Sequence, residues 1–416
     1  MKNKKRIAVF SRSTHYHFIS GGMETQLKNL LEGLVKNDFD ITVFTTSYPD
    51  KIDEDVLMNK NGINYVFMKD TTPGLYPMTI IDGFWNKLNQ LDRKSKVEGK
   101  ENYFEKSVDY FKEYNQQNKF DFILSQSTAA RKVVFETEIP VISVIHGTIY
   151  SEIKNRIASN RTFKNWFRFL LLDLPNWIIE KVTTNKKFFN RVNAVVSVSD
   201  NLKKQFLYEY PKLKEKVTVI YNGVDSNLFK PGKEKEEFVF LYIGRVDREK
   251  GVDLIIDATK KLLEKTNNKF KVNIVGNGIH FDELVKYTKK NGLEKIINFV
   301  GPVKNEEIVQ YYKEASVFLF PSRREEGHPM TLSESLCSGV PVIATRSGGI
   351  VNVINDNVDG FLIEKENIGA LIDKMFLLFN DKILLENFTE NAFKNGIKNY
   401  SQDVMIVRYI KLFREY

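Results

Sequence analysis

Residues 238–265 read FVFLYIGRVDREKGVDLIIDATKKLLEK, and this stretch decides the fold. FVFLYIG (238–244) is a run of β-branched and aromatic residues, the pattern of a buried strand. After a short charged loop, GVDLIIDATKKLLEK (251–265) spaces its apolar residues along one face of a helix. The alternation continues with strands at KVNIVG (271–276), INFVG (297–301), VFLFPS (317–322) and PVIAT (341–345), and with a helix at EEIVQYYKEA (306–315). Upstream the same order holds. IAVF (7–10), ITVFTT (41–46), FDFILS (120–125), PVISVI (140–145) and AVVSVS (194–199) read as strands, with helices over Met23 to Val35 and Tyr103 to Tyr114. Strands alternating with helices predict an α/β protein whose mainly parallel sheets are covered by helices.

The alternation restarts after Lys230-Pro231-Gly232 and the charged run EKEE, which places a linker near 225–237. At 416 residues the length favours two or three domains. The expected division is 1–225 and 226–399, with a final helix of about 400–416, including the amphipathic run Val404 to Phe413, returning to the first domain. Two such domains facing one another form a cleft at the carboxyl ends of their strands, where ligands of open α/β sheets bind.

Composition narrows the class. The chain is 42% hydrophobic and 28% charged, ordinary for a globular protein with sizeable cores. Its lone cysteine, Cys337, cannot form an internal disulfide and lies among apolar neighbours, which suits a buried thiol and a reducing cytoplasm. The start, MKNKKRIAVFSRS, has too short an apolar run for a secretion signal, and no 18-residue apolar stretch predicts a transmembrane helix. The net charge of +9 predicts affinity for anions. No nucleic-acid-binding module accompanies it, so no nucleic-acid partner is expected.

Three loops carry candidate chemistry. Gly21-Gly22-Met23-Glu24 precedes the first long helix, where paired glycines and free N–H groups suit a phosphate, or simply a flexible turn. Gly244-Arg245-Val246-Asp247-Arg248-Glu249-Lys250-Gly251 sets two cations, Arg245 and Lys250, at a helix start, an unfavourable place unless a polyanion binds. Its other charges also allow a solvated loop. The third, Phe320 to Glu334, reads FPSRREEGHPMTLSE, with Pro329 as first helical residue and His328 as cap, so that the N–H groups of Met330 and Thr331 face a ligand. Glu326 and Glu334 then suit sugar and ribose hydroxyls. Thr331 to Glu334 is also a capping-box pattern, in which Glu334 merely closes its helix.

The spacing of Glu326 and Glu334 matches the E-x(7)-E motif of retaining GT-B glycosyltransferases, and FPSRREEGHPMTLSESLCSGVPVIATRSGG resembles the donor-binding segment of glycosyltransferase family 4. GRVDREKG resembles that family's phosphate-binding loop and GGMETQLKNLLEGL its glycine loop, while NGVDSNLF (222–229) and IVGNG (274–278) fall in the family's order. The resemblance covers nearly the whole chain and is weakest over 47–120 and 150–190. It implies the GT-B architecture of two Rossmann-like domains, with transfer of a sugar from a UDP- or GDP-sugar to a hydroxyl acceptor in cell-surface glycan or glycolipid synthesis.

Carried over to this sequence, the resemblance assigns Arg245 and Lys250 to the donor diphosphate, Glu326 to the transferred sugar and Glu334 to the ribose. Gly22, beside Gly21, is assigned to the phosphate, Val303 in Gly301-Pro302-Val303 to the base, and His146 to the sugar and acceptor. It implies front-face transfer with the leaving phosphate taking the acceptor's proton, so no nucleophile, cofactor or metal is assigned. Asp38-Phe39-Asp40 and His15-Tyr16-His17 have metal-like spacing but lack a third ligand.

For the acceptor, residues 151–191 hold nine basic residues, among them Lys154, Arg156, Lys164, Arg168 and Lys181, against three acidic ones. Interleaved with Trp166 and Phe167, they suit an anionic membrane face and a glycan or lipid-linked acceptor, or helices packed on the first domain with solvated lysines. A GT-B sugar-nucleotide epimerase and a non-enzymatic nucleotide-sugar binder are the competing readings. A dinucleotide oxidoreductase has only the lone Gly276-Asn277-Gly278.

Overall fold

Strands β1 (Arg6–Phe10), β2 (Asp40–Thr45), β5 (Phe122–Gln126), β6 (Val141–Ile145) and β7 (Ala194–Ser197) form where buried apolar runs demand them in the computed structural model. It describes residues 4–17, 21–71, 103–159, 166, 169–232, 237–266 and 269–416. β3 (Val56–Lys60), β4 (Ile63–Phe67) and β8 (Val217–Val219) complete an eight-stranded sheet of order β3-β4-β2-β1-β5-β6-β7-β8. All its pairings are parallel except β3 with β4. That hairpin turns at Asn61-Gly62, where both residues take positive φ (52° and 77°), the pair that a two-residue hairpin turn requires.

A second sheet, wholly parallel, contains β9 (Val239–Ile243), β10 (Lys271–Val275), β11 (Ile297–Gly301), β12 (Val317–Phe320), β13 (Val342–Thr345) and β14 (Gly360–Ile363). Its order is β11-β10-β9-β12-β13-β14. Two apolar clusters cover its faces. One gathers Phe240, Tyr242, Ile255, Phe270 and Met375, the other Leu241, Phe318, Tyr312, Leu336 and Cys337. Burying each such side chain contributes about 1.5–3 kcal/mol. Cys337 is fully buried, and burial pushes its thiol up to about 12.

The chain divides into two compact units. One comprises Met1–Val198, Lys203–Ile220 and Tyr409–Tyr416, the other Ser199–Leu202 and Tyr221–Arg408. The switches fall at 220/221 and 408/409, where the sequence reading has 225 and about 400. The last helix runs from Gln402 to Phe413. Within the first unit Phe413 stacks on Phe122 at 5.2 Å and meets Phe39 at 5.7 Å.

In each sheet the winding direction reverses beside its first strand. β1 lies between β2 and β5, and β9 lies between β10 and β12. Loops leaving the carboxyl ends of two such neighbours part to opposite faces and leave a crevice for a ligand. In the second unit those loops are 244–251 after β9 and 321–329 after β12.

Candidate functional site

Lys250 and Glu326 come from these two loops and meet. The Lys250 ammonium donates to Glu326 Oε1 at 2.7 Å, with the side chains 14% and 13% exposed. Ser322 Oγ donates to the same oxygen at 2.7 Å. Burial alone raises a carboxyl pKa, but Lys250 and the Ser322 hydroxyl outweigh it and hold Glu326 below the ordinary carboxylate value.

Glycine makes the approach possible. Gly251, at φ 74°, ends the Lys250 turn, and a Cβ there would stand 2.1 Å from the Pro321 carbonyl. From β13 the chain continues into Gly348-Gly349. The Gly349 N–H donates to the Glu326 carbonyl at 2.7 Å, and a Cβ on Gly348 would lie 2.3 Å from that oxygen. Thr345 Oγ1 donates to the Ser322 carbonyl at 2.5 Å and Ser347 Oγ to that of Arg324 at 2.8 Å. Glu326 is therefore held at its backbone and its carboxylate.

Arg245 follows β9 and remains 61% exposed on its side chain, paired with Asp247 at 2.5 Å. Tyr242 links it to the buried pair. The phenol donates to the Arg245 carbonyl at 2.7 Å, and its pKa is pushed well up, first by burial and then by the charges of Glu326 and Asp247. Other charges of these loops serve structure. The Arg323 guanidinium forks onto Asp253 at 2.7 and 2.8 Å, and Arg324 donates to Glu249 at 2.8 Å. Solvation explains neither of those arginines, and Lys250 is no surface lysine.

Met330 is the first residue of the helix Met330–Cys337, but the cap differs from the expected one. Pro329, at ψ 122°, is the N-cap, and the His328 ring reaches Ser333 Oγ at 2.7 Å. The proline lacks an N–H, and its extended ψ lets its carbonyl accept from Leu332 at 3.2 Å. Glu334 is not a capping-box residue. It lies in the helix, 7% exposed, and accepts from the Tyr312 phenol at 2.9 Å, which also reaches the Thr331 carbonyl at 3.1 Å. Burial raises its pKa to about 7, against the Tyr312 hydrogen bond. Val303, after Gly301 at φ 83°, packs on the cluster that contains Met330.

In the first unit, Gly21 caps the helix Gly22–Lys36 and its N–H donates to Glu24 at 2.9 Å. Glu24 in turn accepts from Ser13 Oγ at 2.5 Å. His146 follows β6, where its Nε2 lies 2.7 Å from Gln126 Oε1 at the end of β5, so that nitrogen carries the proton. Burial lowers the pKa of this half-buried ring to about 4, leaving it neutral near pH 7. Gln126 Nε2 reaches Gln26 Oε1 at 3.5 Å, a relay that sequence reading missed. Of the metal-like patterns, Asp40 accepts from Arg6 Nε at 2.9 Å and His17 Nδ1 accepts from the Thr14 N–H at 2.9 Å. Among the described residues no group of three or more His, Cys, Asp or Glu could hold a metal.

Two α/β units, each with a mostly parallel sheet, have the GT-B architecture of sugar-transferring enzymes, and the second carries a buried cation–carboxylate pair at its switch point. Residues 20–228 match the family model Glycosyltransferase Family 4, and residues 224–395 match Glycosyl transferases group 1. The chain belongs to glycosyltransferase family 4 and is a glycosyltransferase. It is 24% identical over 417 residues to an uncharacterized glycosyltransferase of Methanocaldococcus jannaschii, covering 95% of each chain. It is 25% identical over 230 residues to the capsular polysaccharide biosynthesis glycosyltransferase CapM of Staphylococcus aureus, covering 51% of this chain and 58% of that one. Sucrose-phosphate synthase from Thermosynechococcus elongatus superposes with a TM-score of 0.74 at 17% identity over 99% of both chains. The Anabaena protein HepE in complex with UDP and glucose superposes with a TM-score of 0.68 at 17% identity over 100% of both.

Proposed function

We propose that this enzyme transfers a sugar, with retention of configuration, from a UDP- or GDP-sugar to a hydroxyl of a glycan or lipid-linked acceptor. The observation that carries the reading is the Lys250–Glu326 pair at the carboxyl ends of β9 and β12, beside Arg245. A diphosphate entering there draws on two cations, the buried Lys250 and the more exposed Arg245, and both stabilise the departing charge. Glu326, ionised by Lys250, accepts hydrogen bonds from the sugar's hydroxyls, and Glu334 accepts from the ribose. These cations make a bound metal unnecessary, so turnover in EDTA is expected. The UDP and glucose of HepE support the donor class, and CapM supports a role in cell-surface polysaccharide synthesis. A melting-temperature panel of UDP-, GDP- and ADP-sugars identifies the donor, since a ligand of the folded state raises the transition. The anomeric configuration of the first product, read by NMR, tests retention. A panel with no stabilising donor, or an inverted product, overturns the reading. An epimerised sugar formed from the donor alone would favour the epimerase instead.

A peripheral site on the cytoplasmic membrane face is a second element of the proposal. Leu170, Leu171, Ile178, Ile179 and Val182 are each about half exposed or more, and Lys186 and Lys187 beside them are exposed. Apolar side chains fringed by lysines suit an anionic lipid surface, where each suitably placed cation adds about 1 kcal/mol. Lys164 and Arg168 lie outside the described residues. No helix among the described residues is long and apolar enough to cross a membrane. Replacing Ile178 and Val182 by glutamate should abolish co-sedimentation with phosphatidylglycerol vesicles; undiminished binding rejects the surface.

A further inference from the structure

Tyr242 stands fully buried among the apolar residues of one face of the second sheet, where a phenylalanine would fill nearly the same space. A phenol in such a place needs a partner for its hydroxyl. It finds one three residues on, in the loop that leaves its own strand, where the hydroxyl donates to the Arg245 carbonyl at 2.7 Å. Gly244 makes the return of the chain possible. It takes φ 156°, and a Cβ there would stand 2.9 Å from the phenol oxygen. Burial, and then the charges of Glu326 and Asp247, keep the phenol protonated near pH 7, so it remains a donor.

The neighbours of Arg245 are tied elsewhere. The Gly244 N–H donates to the Val275 carbonyl at 3.0 Å and the Val246 N–H to that of Asn277 at 2.9 Å. The Asp247 carboxylate accepts from the Ile279 N–H at 3.2 Å. The segment after β10 thus fixes those three residues, while Tyr242 fixes the peptide that Arg245 shares with Val246. The Arg245 side chain needs such a base, being long, rich in rotamers and 61% exposed. Its ion pair with Asp247 Oδ2 at 2.5 Å orients the guanidinium from the other end. Held at both ends, the side chain has less freedom to lose when an anion binds.

We propose that Tyr242 is a positioning residue of the donor site, setting Arg245 for the diphosphate by holding its carbonyl. The role rests on the donor reading above and is separable from packing. The test titrates UDP, GDP and ADP calorimetrically into the full-length protein and follows whichever binds tightest. Tyr242→Phe keeps the ring and loses the hydroxyl; it should weaken that nucleotide about three- to tenfold, as for the loss of one hydrogen bond. Arg245→Ala should weaken it as well. In the Arg245→Ala background Tyr242→Phe should weaken it no further, because the phenol acts through Arg245. Phe240→Leu, in the same apolar cluster, should lower the melting temperature and leave the affinity unchanged. Equal weakening by Tyr242→Phe in both backgrounds, none in either, or the same weakening by Phe240→Leu overturns the proposal and leaves the donor reading standing. Unchanged affinity in Arg245→Ala, or no binding of any of the three nucleotides, removes the donor reading and the role of Tyr242 with it.

Discussion

Replacing Lys250 by methionine isolates the interaction on which the donor site is built. The substitution keeps the stem and removes the ammonium 2.7 Å from Glu326 Oε1, where both side chains are about one-seventh exposed. Removing one partner of a buried pair costs about 3–5 kcal/mol, because the other charge is left uncompensated. A unit of this size moves its melting temperature by about 2–4 °C per kcal/mol, so a fall of roughly 6–20 °C is expected at pH 8. The loss should depend on pH with a definite sign. In the parent, Lys250 depresses the Glu326 pKa, so the pair's stabilisation is present above the unfolded carboxyl value and is lost as pH falls through the folded one. In Lys250→Met only the Ser322 hydroxyl and the Arg324 charge still oppose burial, so the Glu326 pKa rises and the carboxyl protonates at a higher pH than in the parent. The gap between parent and variant should therefore narrow from pH 8 to pH 5. Lys250→Met/Glu326→Gln should recover much of the loss at pH 8. Melting curves followed by circular dichroism at both pH values decide the matter. A gap independent of pH, together with a double variant as unstable as the single one, refutes the buried-pair reasoning.

Arg245→Ala and Lys250→Ala should each lower the transfer rate by about 100- to 1,000-fold, as for a lost charge-stabilising donor, and Glu326→Ala, which removes an acceptor for the sugar, should lower it as well; near-normal turnover in all three removes the site assignment. Glu334, raised to about 7, contributes stability that is present below its unfolded value and lost as pH rises through about 7, on the order of 3 kcal/mol. Glu334→Gln should flatten the parent's decline in melting temperature between pH 5 and pH 8. His146, lowered to about 4, acts in the opposite sense, its stabilisation present above 6.5 and lost as pH falls towards 4; His146→Gln should reduce acid destabilisation between pH 6.5 and 4. Gly348→Ala, whose Cβ would stand 2.3 Å from the Glu326 carbonyl at φ 52°, should cost more than 1 kcal/mol in denaturant melts and reduce transfer.

Most strands that sequence analysis locates are buried on both faces, such as VFLYI of β9 and VISVI of β6, whereas β4, almost as buried, escapes because Asn64 and Tyr65 interrupt the aliphatic run of INYVF. β3 escapes because VLMNK is half to fully exposed and offers no apolar run, although Asn61-Gly62 marks its turn. β8, of three residues, is too short for a periodicity, and the four residues of β14 begin with Gly360, a poor strand former. Lys250 and Glu326 are legible because charged residues beside glycine and proline at strand ends are conspicuous. Ser322, Tyr312 and the Gln126 relay are not, since ordinary polar residues acquire their meaning only through distant partners. Tyr312, for example, reaches Glu334 across 22 positions. The cap at Pro329 differs from the expected His328 because a proline's place at a helix start depends on its ψ, which no residue type encodes.

The return of Tyr409–Tyr416 to the first unit has a consequence for biosynthesis. Residues are translated in chain order, yet the aromatic seat formed by Phe39 and Phe122 waits for Phe413, which emerges long after both. The half made earliest is thus finished last. Nascent chains stalled before Tyr409 should be more open to protease in that half than released ones, and removal of Tyr409–Tyr416 should weaken a core whose other members were translated hundreds of codons before.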